Sequence, residues 1–163
     1  MVEVSYAARA NRAEMSRRVL VLHGPNLNAL GTRESDVYGL ATLAQINDRI
    51  QALAPELGLD VVVAQHQGEG EIIQAIHAAA AEGRAIVINP GAYTHYSYAI
   101  RDALAAVAVP KVEVHLTNIY SREAFRRRSV IAPVVDGSVA GFSGESYLLA
   151  LRAIAAMPDR ARH

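Results

Sequence analysis

Glu113 and His115 stand two residues apart in the apolar run Val112 to Leu116. In an extended strand such residues leave the same face, so their side chains are neighbours. A carboxylate beside an imidazole fixes the ring and stabilises its protonated form, which suits His115 to the work of a general acid near neutral pH. The plainer alternative is a strand-end histidine bonded to backbone or solvent, and the position at the carboxyl end of a strand favours the chemical reading. A second cluster is Asn89-Pro90-Gly91 with Thr94-His95. Pro90 and Gly91 are turn residues, whereas Asn89 and His95 admit either a turn role or a place in the same crevice as His115. A third is the basic set Arg122, Arg126, Arg127 and Arg128. The last two read as a solvated face. Arg122 and Arg126, four apart, fall on one side of a helical turn and suit an anionic or hydroxylated ligand.

Composition removes several other chemistries. The chain has no cysteine, hence no thiol nucleophile, thiolate metal site or disulfide. Lys111 is the only lysine and begins the fourth apolar run, a strand's length from His115, which argues against Schiff-base catalysis. Sixteen basic and sixteen acidic side chains balance, so the field that draws proteins to nucleic acid or anionic membrane is missing and a small molecule is the expected partner. No apolar stretch is long enough to span a bilayer, and Met1 to Arg18 lack the apolar centre of a signal peptide, so a cytoplasmic protein is expected. Gly24-Pro25 opens a loop that includes a residue without an N–H and has no Gly-Lys-Ser/Thr ending, a poor match to a phosphate loop.

The elements that must position these residues are legible in the pattern. Residues 1–17 lack a sustained period and read as an arm, 18–158 as one catalytic α/β domain and 159–163 as a tail. Val19 to Leu22, Val61 to Ala64, Ile86 to Ile88, Val112 to Leu116 and the weaker Val139 to Phe142 are five expected strands. Helix-period stretches lie between them at Thr42 to Leu57, Glu71 to Glu82, Ser97 to Val107 and Glu145 to Ala156. Buried strands alternating with helices call for a parallel sheet covered on both faces. In such sheets the site lies beyond the carboxyl ends of the strands, where strand order reverses. His23, Asn26, Asn28, Gln67, Asn89, His95, Glu113, His115, Thr117 and Asn118 are the polar residues at those ends. The connection from Gly24 to Ala41 is far longer than the roughly two to six residues such a loop needs, and marks a lid or binding loop.

The loop motif Gly24-Pro25-Asn26-Leu27-Asn28, followed by Leu30-Gly31-x-Arg33-Glu34 and Tyr38-Gly39, strongly resembles the opening of the type II 3-dehydroquinate dehydratases. The block from Asn89 to His95, with Ser97 and Arg101-Asp102 after it, resembles that family's third-strand block. Glu113-Val114-His115-Leu116-Thr117-Asn118-Ile119 with Arg122-Glu123-x-Phe125-Arg126 resembles its fourth. The likeness runs from about Val19 to Ile154. It implies a flavodoxin-like three-layer sandwich with a five-stranded parallel sheet of order 2-1-3-4-5, and the dehydration of 3-dehydroquinate to 3-dehydroshikimate, in the shikimate pathway or in quinate breakdown, by anti elimination through an enolate with no Schiff base, no metal and no cofactor. A homo-dodecamer built from trimers is implied as well. By position, Tyr38 is the expected base, Arg33 and Arg122 the cations beside it, Asn26 the holder of an enolate-stabilising water, and His115 the acid oriented by Glu113. Asn89, His95 and Arg126 are expected to grip ring hydroxyls, Leu116 and Thr117 to bind the carboxylate, and Asp102 to reach a neighbouring subunit's site.

Certain positions depart from the family pattern. His23 stands where Asn is common, Ser35 where Pro is common, Thr117 where Ser is usual, and Gln65-His66-Gln67-Gly68 differs from the usual Gln-Ser-Asn beginning, which puts the contacts of that loop in question. A non-catalytic flavodoxin-like binding module or scaffold is the alternative from another class, and the presence of Tyr38, Arg33 and His115 argues against it.

Overall fold

The computed structural model describes residues 16–32, 36 and 40–158. The arm residues 1–15, the tail 159–163, Arg33 to Ser35 and Val37 to Gly39 lie outside the described residues, and Tyr38 and Arg33 with them.

Five strands form one parallel sheet: β1 Arg17–His23, β2 Leu59–Gln65, β3 Ala85–Asn89, β4 Lys111–His115 and β5 Gly137–Ala140. Their order is β2-β1-β3-β4-β5, the flavodoxin-like order, and it reverses between β1 and β3. Arg17 pairs with Leu59 and so belongs to the sheet, one residue before the expected start of the domain. Among the described residues four helices cover the sheet: α1 Leu43–Glu56, α2 Glu69–Ala81, α3 Tyr98–Ala106 and α4 Glu145–Ala156.

Alternation along the strands sorts the core into two layers. Val19, Val21, Val87, Val112 and Val114 pack with Ile46, Ile50, Tyr147, Leu151 and Ile154 of α1 and α4. Leu20, Leu22, Ile86 and Ile88 pack with Ile72 and Ile76 of α2 and Ile100 and Leu104 of α3. Each such side chain, fully withdrawn from water, is worth about 1.5–3 kcal/mol, and the layers together set the sheet's position between the helices. Thr42 closes a reciprocal cap on α1, its hydroxyl 3.2 Å from Gln45 N and its own N–H 2.9 Å from Gln45 Oε1.

Most element ends differ from the sequence expectation by one or two residues, and two of the shifts have a clear local cause. α2 starts two residues early, since the Glu71 carboxylate folds back to accept from Gly68 N–H at 3.0 Å. β5 ends at Ala140 instead of Phe142, because Gly141 turns to φ 98° and Phe142 emerges into solvent. Among the described residues no helix is long and apolar enough to cross a membrane.

Candidate active site

β4 places Lys111, Glu113 and His115 on one face, with Val112 and Val114 in the opposite core layer. The Glu113 carboxylate is 1% exposed, an expensive place for a charge unless it is well bonded. It is well bonded: His115 Nε2 lies 2.8 Å from Oε1, Ser129 Oγ donates within 2.9 and 3.0 Å of the two oxygens, Ser138 Oγ approaches Oε2 at 3.3 Å, and the Thr94 hydroxyl donates as well. Burial alone would push this carboxyl up, but the hydrogen bond and charge of His115, with the hydroxyls of Thr94 and Ser129, hold it below its ordinary value. Glu113 is therefore ionised at neutral pH. Its hold on Nε2 fixes the His115 ring, whose Nδ1 has no hydrogen-bond partner among the described residues.

His115 lines a cleft of about 710 Å³, counted with its open mouth, at the carboxyl ends of β1, β3 and β4. The loop after β1 supplies Pro25, Asn26, Leu27 and Leu30, the loop after β3 supplies Gly91, Ala92 and His95 beyond Asn89 itself, and the loop after β4 supplies Leu116, Thr117, Ile119, Arg122 and Arg126. The first two loops interlock. Gly24 N–H donates to the Asn89 carbonyl at 2.7 Å, and a Cβ on Gly24 would stand 2.7 Å from the Pro90 carbonyl carbon, so only glycine permits the approach.

Asn26 adopts φ 67°, a left-handed conformation rare for a residue with a side chain. Gln67 holds it there, accepting from Asn26 N–H at 2.8 Å and donating to Asn28 Oδ1 at 2.7 Å. Gln65 Nε2 donates to the Gly24 carbonyl at 3.1 Å. The second-strand loop, whose contacts the sequence left in question, thus braces the loop that carries Asn26.

His95 donates from Nδ1 to the Arg128 carbonyl at 2.8 Å, which leaves Nε2 as the acceptor on a ring that lines the cleft. Burial lowers its pKa, against the pull of the Arg128 carbonyl, and the charges of His115 and Arg126 lower it further. Arg122 and Arg126 do not share a helical turn as expected. Two short 3-10 turns, Ile119–Ser121 and Ala124–Arg126, replace it, with Arg122 extended between them. Glu123 gathers both guanidinium groups, at 3.5 Å from Arg122 Nε and 3.1 Å from Arg126 Nε, so the two cations still face one cleft.

The remaining expectations divide. Asn26, Asn89, His95, His115, Leu116, Thr117, Arg122 and Arg126 meet at the cleft, with Glu113 behind His115. Asn118 turns to cap Tyr120 N–H at 3.1 Å and is spent on the loop. His23 ends β1 but faces the α1 and α4 layer and is fully buried, so it is no part of the crevice wall. Lys111 sits at the other end of β4, its ammonium 2.6 Å from the Val107 carbonyl. Asp102 is exposed on α3, 3.4 Å from Arg101. Gln67, expected at a strand end, proves to brace Asn26, whereas Ser129 and Ser138 were not expected at the site; isolated serines carry no spacing signal, and only the fold brings them to Glu113.

A doubly wound parallel sheet, with a hydrogen-bonded Glu–His pair and two arginines at its switch point, defines an enzyme of the flavodoxin-like α/β class. The model of the family "Dehydroquinase class II" matches residues 17–155. The chain belongs to that family. It is 56% identical over 140 residues to a 3-dehydroquinate dehydratase of Pelotomaculum thermopropionicum, covering 86% of this chain and 97% of that protein. A 3-dehydroquinate dehydratase of Desulforudis audaxviator is 54% identical over 145 residues, covering 89% and 97%. Among solved structures, the type II dehydroquinase of Propionibacterium acnes superposes with a TM-score of 0.84 at 44% identity, over 88% of this chain and 99% of that one.

Proposed function

We propose that the protein dehydrates 3-dehydroquinate to 3-dehydroshikimate and water, through an enolate and by anti elimination. The observation that carries this reading is the His115–Glu113 pair, 2.8 Å apart, opening on a cleft walled by Asn26, Asn89, Arg122 and Arg126. Tyr38 is the base in this reading and takes a proton from the carbon next to the ring ketone. A free phenol has a pKa of about 10, and a guanidinium at hand lowers such a value by about one to three units. Arg33 and Arg122 are the cations assigned to that task.

The electron pair left on carbon moves into the carbonyl oxygen, where a pre-aligned donor stabilises it best. A water held by Asn26 is that donor. The enolate then expels the β-hydroxyl, which leaves as water after receiving a proton from His115. With Nε2 committed to Glu113, the proton travels from Nδ1, and the ionised carboxylate is the partner an imidazolium needs. Asn89, His95 and Arg126 bind ring hydroxyls, and the Leu116 backbone with the Thr117 hydroxyl takes the carboxylate. No Schiff base, metal or cofactor enters. Asp102 reaches a neighbouring subunit's site in a dodecamer built from trimers, serving the shikimate pathway or quinate breakdown.

The test is to add 3-dehydroquinate to the purified protein and follow the absorbance of the conjugated enone. Steady formation of 3-dehydroshikimate is the expected result, and its absence at micromolar enzyme contradicts the reading.

A further inference from the structure

The backbone that follows His115 leaves the strand pattern at one peptide. Up to His115 the chain pairs with β5, and the His115 carbonyl accepts from Gly141 N–H at 3.3 Å. A trans peptide points its N–H opposite its carbonyl, so Leu116 N–H is turned to the β3 side. In a regular parallel ladder the Leu116 carbonyl would face that side too. Instead Ser143 N–H, beyond the end of β5, holds it at 2.9 Å. The Leu116–Thr117 peptide is thereby flipped, and Thr117 N–H is sent to the β3 side as well.

Sheet order gives this flip a consequence. β4 lies between β3 and β5, and the cleft opens at the carboxyl ends of β1, β3 and β4, away from β5. Two successive N–H groups therefore turn toward a cleft that both residues line, and neither has an acceptor among the described residues. Leu116 is buried, where a backbone donor calls for a partner. Successive backbone donors on one side form a nest for an anion.

Ser143 is strained into its place. Its φ is 53°, and Asn26 is the other described residue with a side chain and a positive φ. The Ser143 side chain is exposed and has no hydrogen bond among the described residues, so its contribution is its backbone. Its N–H takes Leu116, and its carbonyl accepts from Ser146 N–H at 3.1 Å in the first turn of α4. The fully buried Ser146 fixes the turn further, its Oγ accepting from Phe142 N–H at 3.1 Å.

We propose that Ser143 is a positioning residue for the substrate carboxylate: its N–H flips the Leu116–Thr117 peptide and so joins Thr117 N–H to Leu116 N–H in one anion nest. The proposal rests on the reading that Leu116 and Thr117 take the carboxylate, and deepens it from one backbone group and a hydroxyl to two adjacent backbone donors.

The test is the ratio of kcat/KM for 3-dehydroquinate to that for the same molecule with a carboxamide in place of its carboxylate. A hydrogen bond to a charged group corresponds to about tenfold or more, so the wild-type ratio should exceed about ten. Ser143→Val sets a β-branched residue where φ is positive; it should lower the ratio by about tenfold, through KM for the acid. Ser143→Gly, which takes this backbone without strain, should restore it. Should Ser143→Val fail to fold, Ser146→Ala, which removes only the hydroxyl that holds Phe142 N–H, should lower the ratio severalfold. An unchanged ratio in the folded variant, whatever the overall rate, overturns the positioning role and leaves the carboxylate reading standing. A wild-type ratio near one overturns both.

Discussion

The Glu113 carboxylate takes His115 by Nε2 at 2.8 Å and leaves Nδ1 to the cleft. In the proposed mechanism this divides labour within one ring: one nitrogen is anchored and the other, without a hydrogen-bond partner among the described residues, hands over the proton. Replacement of His115 by Ala should slow turnover by about 10²–10⁴-fold, the usual contribution of a positioned acid, while ligand binding persists in a titration. Loss of binding with turnover retained is the opposite outcome and contradicts the acid role.

Ser129 donates to both oxygens of Glu113, at 2.9 and 3.0 Å. Ser129→Ala should weaken the hold on the ionised carboxylate, shift the acid limb of the kcat profile, and cost about 1–3 kcal/mol of stability, the range for a buried group left short of a partner. The same hydroxyl also accepts from Ile131 and Ala132 N–H at 3.1 and 2.9 Å, so part of the stability loss comes from that turn. The pH profile isolates the electrostatic part, and a profile identical to wild type contradicts it.

Stability should fall in mild acid because of His23. Its folded pKa of about 4 lies below the ordinary 6.5, so the unfolded chain binds more protons between those values and folding becomes less favourable as pH drops through them. The contribution is complete above about pH 6.5 and exhausted near 4, on the order of 3 kcal/mol in total. Unfolding of wild type and His23→Asn compared from pH 7 to 4 should show a steeper decline for wild type. Parallel curves would mean that the ring is not held neutral.

Gly24 admits no side chain, with the Pro90 carbonyl carbon 2.7 Å from where a Cβ would be. Gly24→Ala should therefore push the loops after β1 and β3 apart. We expect a stability loss of about 1–3 kcal/mol, as for other overpacked sites, together with reduced turnover, since Asn26 and Asn89 belong to the displaced loops. A fully active and equally stable variant contradicts the interlock.

The fold was largely readable because each core face repeats with a clear period. Val19 and Val21 against Leu20 and Leu22 state two-sided burial in β1 before any contact is known. What escaped were features set by single residues, such as the turn at Gly141 that ends β5 and the extended Arg122 that breaks an expected helix. Likewise Glu113 and His115 announce themselves by spacing on one strand, but Ser129 and Ser138 reach Glu113 from elements well apart in sequence, and no local pattern encodes that meeting. His23 misled for a related reason. Its place at a strand end was clear from sequence, while the face it takes depends on register with Asn89.

The most direct test of the proposed mechanism is the single-turnover rate of Tyr38→Phe on 3-dehydroquinate, measured beside its affinity for the substrate. If the phenolate is the base, the rate should fall by at least about 10²-fold, as for loss of a general base, with affinity changed far less. A rate within a few fold of wild type would show that another group removes the proton and would contradict the account at its centre.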